Sequence, residues 1–196
     1  MFISNNTCII KGKVFEEMTA EEFFHFCLEN DELSFERDEK GNIIFMPPTG
    51  SNTGNTNSEI IGELVIWNRK NRLGKTFESS AGFTLPDSSQ RSPGAAWASN
   101  EKWNALTDAQ QKVFAPICPE FIVELRSKSD RLQFLQNKMM MWISNGAHLA
   151  WLIDPIEQKA YIYRKEGSIH IVNSFDATLS GEDVLVDFKL DLNILK

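Results

Sequence analysis

The sequence predicts an α/β domain with a mixed sheet. Two stretches carry most of that expectation. In "PEFIVELRS" apolar and polar residues alternate so that Ile122, Glu124 and Arg126 fall on one face and Phe121, Val123 and Leu125 on the other, which is strand periodicity. In "DRLQFLQNKMMMWISNG" the apolar residues Leu132, Leu135, Met139, Trp142 and Ile143 form a helical stripe that Gly146 can end. A third stretch, "AHLAWLIDP", follows as a strand and completes a strand–helix–strand unit over 120–154.

The remaining elements follow in chain order. "MTAEEFFHFCLEN" opens on Thr19 with Glu22 three residues later, a capping-box pattern for a short helix. "LSFERDEKGNIIFMPP" reads as a hairpin around "DEKGN", stopped by Pro47 and Pro48. "SNTGNTN" reads as a polar loop. Ser58 then serves as N-cap for a helix whose apolar residues are Ile60, Ile61, Leu64, Ile66 and Trp67. "GKTFESSAGFTLP" and "SPGAAWAS" read as short strands, and "NEKWNALTDAQQKVF" as loop and helical turns. "KAYIYRKEG" and "SIHIVNSF" add two strands, and the tail from "LSGEDVLVDF" onward is extended or turn. Residues 1–17 form an N-terminal extension and 18–196 a single domain.

Composition narrows the function classes. The chain has 196 residues, 42% hydrophobic and 24% charged, which suits one domain with a full core. A net charge of -7 gives no whole-chain basic signature for nucleic acid. The three cysteines, Cys8, Cys27 and Cys118, are far apart and read as free thiols of a reducing, cytoplasmic compartment. The three histidines are unclustered, so a zinc site is not expected. "MFISNNTCIIKGKVF" lacks signal-peptide organisation, and no stretch approaches a membrane span.

Glu124 is the most informative residue. It stands near the end of an otherwise apolar strand, where α/β folds place catalytic groups, and a buried carboxylate needs a partner or a metal. A structural pair with Arg126 competes with that reading. Lys138 lies about 40° from Trp142 and about 60° from Leu135 around its helix, so it borders the apolar stripe and can reach over the sheet toward Glu124; a lysine snorkelling at a core edge is the plainer alternative. Glu59 and Glu63 sit one turn apart, a weak signal. Asp87 and Asp154 read as turn residues, and Ser129 or Asp130 as the N-cap of the long helix. Arg69, Lys70, Arg72 and Lys75 form a local basic cluster that could touch phosphates, though cations also favour helix C-termini.

The order of these motifs resembles the Uma2 family, also called DUF820, a family of restriction-endonuclease type common in cyanobacteria. "FERDEKGNIIFMPPTG", "FTLPDSSQRSPGAAWAS", "CPEFIVELRSKSDRLQFLQNKMMMWISNGAHLAWLIDP" and "AYIYR" carry the resemblance from about residue 18 to the C-terminus. It implies a restriction endonuclease-like fold, a mixed central sheet flanked by α-helices, and an Mg2+-dependent PD-(D/E)XK site hydrolysing DNA phosphodiesters. Glu124 matches the acid of the core strand, and Lys138 a lysine on the following helix. Arg126 occupies the place where the lysine more usually stands. Glu59 falls on the early helix that can supply another acid, and Glu36 fits the hairpin motif without an assigned role. Such folds often work as homodimers, and the strands near 160–173 could pair across an interface.

One position departs from the pattern. The motif at 92–94 would be Ser-Pro-Asp, and here it is Ser92-Pro93-Gly94. The missing aspartate is the first acid of the signature and a metal ligand, and glycine offers no side-chain oxygen. The expectation is therefore weak Mg2+ binding and impaired cleavage. A catalytically inactive module that binds nucleic acid or protein is the alternative.

Overall fold

The computed structural model describes residues 8–196. The first seven residues of the stretch read above as lacking a signal peptide lie outside that range. In chain order, β1 (Cys8–Ile10), α1 (Lys13–Glu16), α2 (Ala20–Glu29), β2 (Ser34–Arg37) and β3 (Ile43–Met46) come first. Then come α3 (Ser51–Asn71), β4 (Gly74–Glu78), β5 (Phe83–Thr84), β6 (Gln90–Arg91), β7 (Ala95–Ser99) and α4 (Asn100–Asn104). They are followed by β8 (Phe121–Leu125), α5 (Leu132–Ser144), β9 (Leu149–Asp154), β10 (Lys159–Arg164), β11 (Ile169–Val172), β12 (Thr178–Ser180) and β13 (Lys189–Asp191).

The main sheet has the order β11-β10-β9-β8-β7-β4. Among the described residues of this sheet only β8 and β9 pair in parallel, because α5 is the crossover between them; the other pairs are antiparallel, so the sheet is mixed as expected. Strand alternation divides its core in two. Phe121, Val123 and Trp151 face Ile60, Leu64 and Trp67 of α3 and the C-terminal residues Phe188, Leu190 and Leu192. Ile122, Ala150 and Leu152 face Leu135, Met139 and Trp142 of α5. A second sheet, β1-β3-β2-β6-β5, is joined by α2 through Phe23, whose ring carries the Arg37 guanidinium.

α2 begins as read: Thr19 Oγ1 accepts from the Glu22 amide, and the Glu22 carboxylate accepts from the Thr19 amide. Thr19→Ala should cost about 1 kcal/mol, the usual value of a lost N-cap, read from a denaturation midpoint. α5 ends at Asn145, with Gly146 at φ 107° and the Ala147 amide reaching back to Trp142 O, a glycine-based stop.

Three local readings need correction. "SNTGNTN" is not a loop: it is the first two turns of α3, whose N-cap is Gly50, and Ser58 is inside the helix. Thr56 and Ser58 satisfy their hydroxyls on the carbonyls of Asn52 and Gly54, four residues back, so these polar side chains do not compete for the helix amides. Ile66 of the same helix is 63% exposed and does not share the buried stripe. Neither Ser129 nor Asp130 caps α5. The N-cap is Arg131, without a side-chain bond, while the Asp130 carboxylate accepts from the Ser127 amide and closes the preceding turn.

Candidate functional site: a buried carboxylate and lysine network

The two sheets meet at Lys138. This residue projects from α5 into the sheet junction, with its side chain only 5% exposed. Its ammonium lies 2.8 Å from Glu36 Oε1 and 2.9 Å from Glu124 Oε1, and donates to the Ser92 carbonyl at 3.1 Å. Lys138 therefore does reach Glu124, and the snorkelling alternative fails because the ammonium does not reach water.

Each carboxylate has a second holder. Glu36 on β2 also takes Arg91 Nη1 at 3.1 Å and the Ser92 amide at 3.1 Å. The pairing of Arg37 with Gln90 between β2 and β6 puts Glu36 opposite Arg91, so this ion pair is a cross-strand neighbour pair. Glu124 Oε1 also accepts from Trp142 Nε1 at 3.0 Å. Trp142 and Lys138 are one turn apart on α5, so one helix face holds the carboxylate from two directions.

Burial and charge act against one another here. Burial disfavours the Glu36 carboxylate, but Lys138 and Arg91 outweigh it and hold the pKa below the ordinary 4.5. For Glu124, burial prevails over Lys138, with repulsion from Glu36 in the same direction, and the pKa is raised. Burial also opposes the Lys138 charge, yet Glu124 and Glu36 together keep its pKa above the ordinary 10.5. Stability from Lys138 is therefore fully present below pH 10.5 and is lost as pH rises through the higher folded-state value. Alkaline melts should show that loss, and a Lys138→Met variant should not.

Gly94 completes the geometry. Extending the register Ala95↔Val123 and Ala96↔Ile122 by one residue sets position 94 across from Glu124, just before β7 begins. A Cβ there would stand 3.0 Å from Val123 O and 3.3 Å from Asn57 Oδ1. Asn57, in the turns of α3 first read as a loop, donates its Nδ2 to Gly94 O at 3.0 Å, and its Oδ1 is buried without a donor.

The other site candidates fall elsewhere. Glu59 is exposed on α3, and the side chain of that helix that reaches Gly94 is Asn57. Arg126 does not pair with Glu124. It follows the last residue of β8, and its Nη1 donates to Asp154 Oδ2 at 2.7 Å, while Asp154 Oδ1 accepts the amides of Ile156 and Glu157. Arg69, Lys70 and Arg72 are exposed at the far end of α3, 12 to 15 residues beyond Asn57, or about 18–22 Å along the helix axis. Sequence reading assigned no role to Glu36, Arg91, Trp142 or Asn57. The available signal was Glu36 facing Ile44 in an apolar hairpin.

The donor set can be tested against Mg2+, which takes hard oxygen ligands with carboxylates foremost. Two carboxylates lie near Gly94: Glu124, whose Oε1 is already taken by Lys138 and Trp142, and Glu36, whose oxygens are taken by Lys138, the Ser92 amide and Arg91. The orphaned Asn57 Oδ1 adds one neutral oxygen. Among the described residues no group of three or more His, Cys, Asp or Glu is placed to hold a metal ion. The residues present do not fit an Mg2+ site.

Comparison with known proteins decides the family. The model of the Uma2 family, described as "Putative restriction endonuclease", matches residues 20–193. The chain belongs to the Uma2 family. The fold agrees with a crystal structure described as "a putative nuclease belonging to DUF820" from Anabaena variabilis: TM-score 0.73, 22% identity, with 91% of this chain and 97% of that one covered. No curated protein matches. Among the described residues no helix is long and apolar enough to cross a membrane.

Within this Uma2 chain the Trp142 indole orients the Glu124 carboxylate. Trp142→Phe removes the N–H and also part of a fully buried ring, so it should cost more than the roughly 1.5–3 kcal/mol of a hydrogen bond to a charged group alone. A urea titration would show it, and an unchanged midpoint would mean the bond contributes nothing.

Proposed function

We propose that this chain carries the frame of an Mg2+-dependent endonuclease acting on DNA, and that Gly94 leaves that chemistry impaired. The observation that supports the reading is the ion pair of Glu124 with Lys138, with position 94 in the turn that leads into β7, the strand paired with the one that carries the acid. Phosphodiester hydrolysis needs an activated water and neutralisation of the phosphate charge, which metal-bound carboxylates and a nearby lysine supply in such enzymes. Here the lysine and one acid are in place, and the second acid is missing.

The chain is then a DNA-binding relative that cuts slowly or not at all. The basic residues of α3 lie in the far half of the same helix that reaches Gly94, which suits contact with a duplex along its length. We also propose a homodimer formed through β11, an edge strand whose Ile169 and Ile171 are 50% and 45% exposed. A monomer in gel filtration at micromolar concentration would remove that part.

The test is incubation with supercoiled plasmid in Mg2+ or EDTA, alongside binding measured at two salt concentrations. The expected result is salt-sensitive binding with little or no nicking. Rapid Mg2+-dependent cleavage that Glu124→Gln abolishes would overturn the impairment. Absence of both binding and cleavage would overturn the nucleic-acid reading.

A further inference from the structure

The mismatch between this donor set and Mg2+ has a specific origin in the chain's own cations. Four buried ionisable side chains meet at the sheet junction: Glu36, Arg91, Glu124 and Lys138, each 8% exposed or less. Two are acids and two are bases, so the formal charge sums to zero. Lys138 contacts both acids, and Arg91 contacts one. We infer that Lys138 serves as the internal cation of this site, closing a charge-balanced network that is complete without a metal ion.

The geometry supports that role. The ammonium has three donors, and all three have acceptors: Glu36 Oε1, Glu124 Oε1 and Ser92 O. Those acceptors come from β2, β8 and the turn before β7, so one cation ties both sheets to α5. A divalent ion entering beside Glu124 would add positive charge to a neutral cluster, whose two carboxylates are both already engaged by Lys138. The absence of a side-chain oxygen at position 94 and neutralisation by Lys138 therefore act together. This inference uses the same residues as the nuclease reading but stands without it: failure to bind DNA would leave the network intact.

The experiment is calorimetric titration of the intact chain with Mg2+, together with thermal melts of the chain, of Glu124→Gln and of Lys138→Ala in EDTA and in millimolar Mg2+. No saturable binding to the parent chain is expected, and Mg2+ should shift the parent and Glu124→Gln equally. Saturable binding, or a larger shift for the parent than for Glu124→Gln, would overturn the inference. Lys138→Ala leaves Glu36 and Glu124 facing the vacated position, so Mg2+ should raise its Tm more than the parent's. If Lys138→Ala folds and is as indifferent to Mg2+ as the parent, the ammonium does not act as the internal cation. If it does not fold, the titration of the parent still decides.

Discussion

Gly94→Asp is expected to turn a metal-indifferent chain into one that binds Mg2+ and, on the nuclease reading, cuts DNA. The register, extended one residue beyond Ala95, sets a new carboxylate at position 94 across from Glu124, beside Asn57 of α3. It would enter tight space, 3.0 Å from Val123 O and 3.3 Å from Asn57 Oδ1 at the Cβ, both of them acceptors. The neutral cluster becomes net negative, and the two atoms nearest the new Cβ are oxygens. Without metal the variant should therefore be less stable than the parent. A divalent cation reverses the sign of each effect, because it is coordinated by the new carboxylate, by Glu124 and by the orphaned Asn57 oxygen.

The expected size is large. Altering groups behind a metal's ligands commonly changes affinity 10–100-fold, so supplying a ligand should exceed about 100-fold. At an Mg2+ concentration of about 100 times Kd, binding would stabilise the variant by about 2.7 kcal/mol. Paired melts in EDTA and Mg2+ measure this, and plasmid cleavage tests the chemistry separately. A variant that binds Mg2+ and does not cut would retain the metal argument and refute the nuclease reading. A variant that melts identically with and without Mg2+ would show that position 94 is not part of a cation site.

What the sequence revealed of this site follows the range of its periodicities. Alternation along β8 put Glu124 on the α5 side, and helical spacing put Lys138 on the edge of the buried stripe, so the two could be brought together from a window of fifteen residues. Glu36 escaped because it is 102 residues from Lys138 in sequence, and no local pattern specifies how the second sheet docks. Arg126 was misread for the opposite reason. Its alternation with Glu124 holds only while the strand lasts, and β8 ends at Leu125, leaving the guanidinium to turn to the fully buried Asp154 at the end of β9. The early turns of α3 were unreadable because Asn, Ser, Thr and Gly disfavour helix interiors by propensity. Buried Thr56 and the contact of Asn57 with Gly94 supply tertiary support that propensity omits.

Lys138→Met tests the energetic side of the network and should have the largest effect on stability of any single change in it. Methionine fills a similar space but leaves Glu124 with only the Trp142 N–H and Glu36 with Arg91 and one amide. Removing one partner of a buried ion pair costs about 3–5 kcal/mol, since the remaining charge is stranded away from water. Against a typical total of about 5–15 kcal/mol that could unfold a marginal domain. The proper control is the exposed pair Lys159–Glu157 at 3.8 Å, where Lys159→Met should cost about 0–1 kcal/mol because water already solvates both ends. Acid supplies a second check. Glu124 is the acid whose pKa burial has already raised, so it protonates first as pH falls, and its stranded charge then disappears. The stability gap between Lys138→Met and the parent should narrow between neutral and mildly acidic pH, as read from urea midpoints. A gap that stays constant across that range would mean the lysine contributes packing alone, and its two short contacts with carboxylates would carry little free energy.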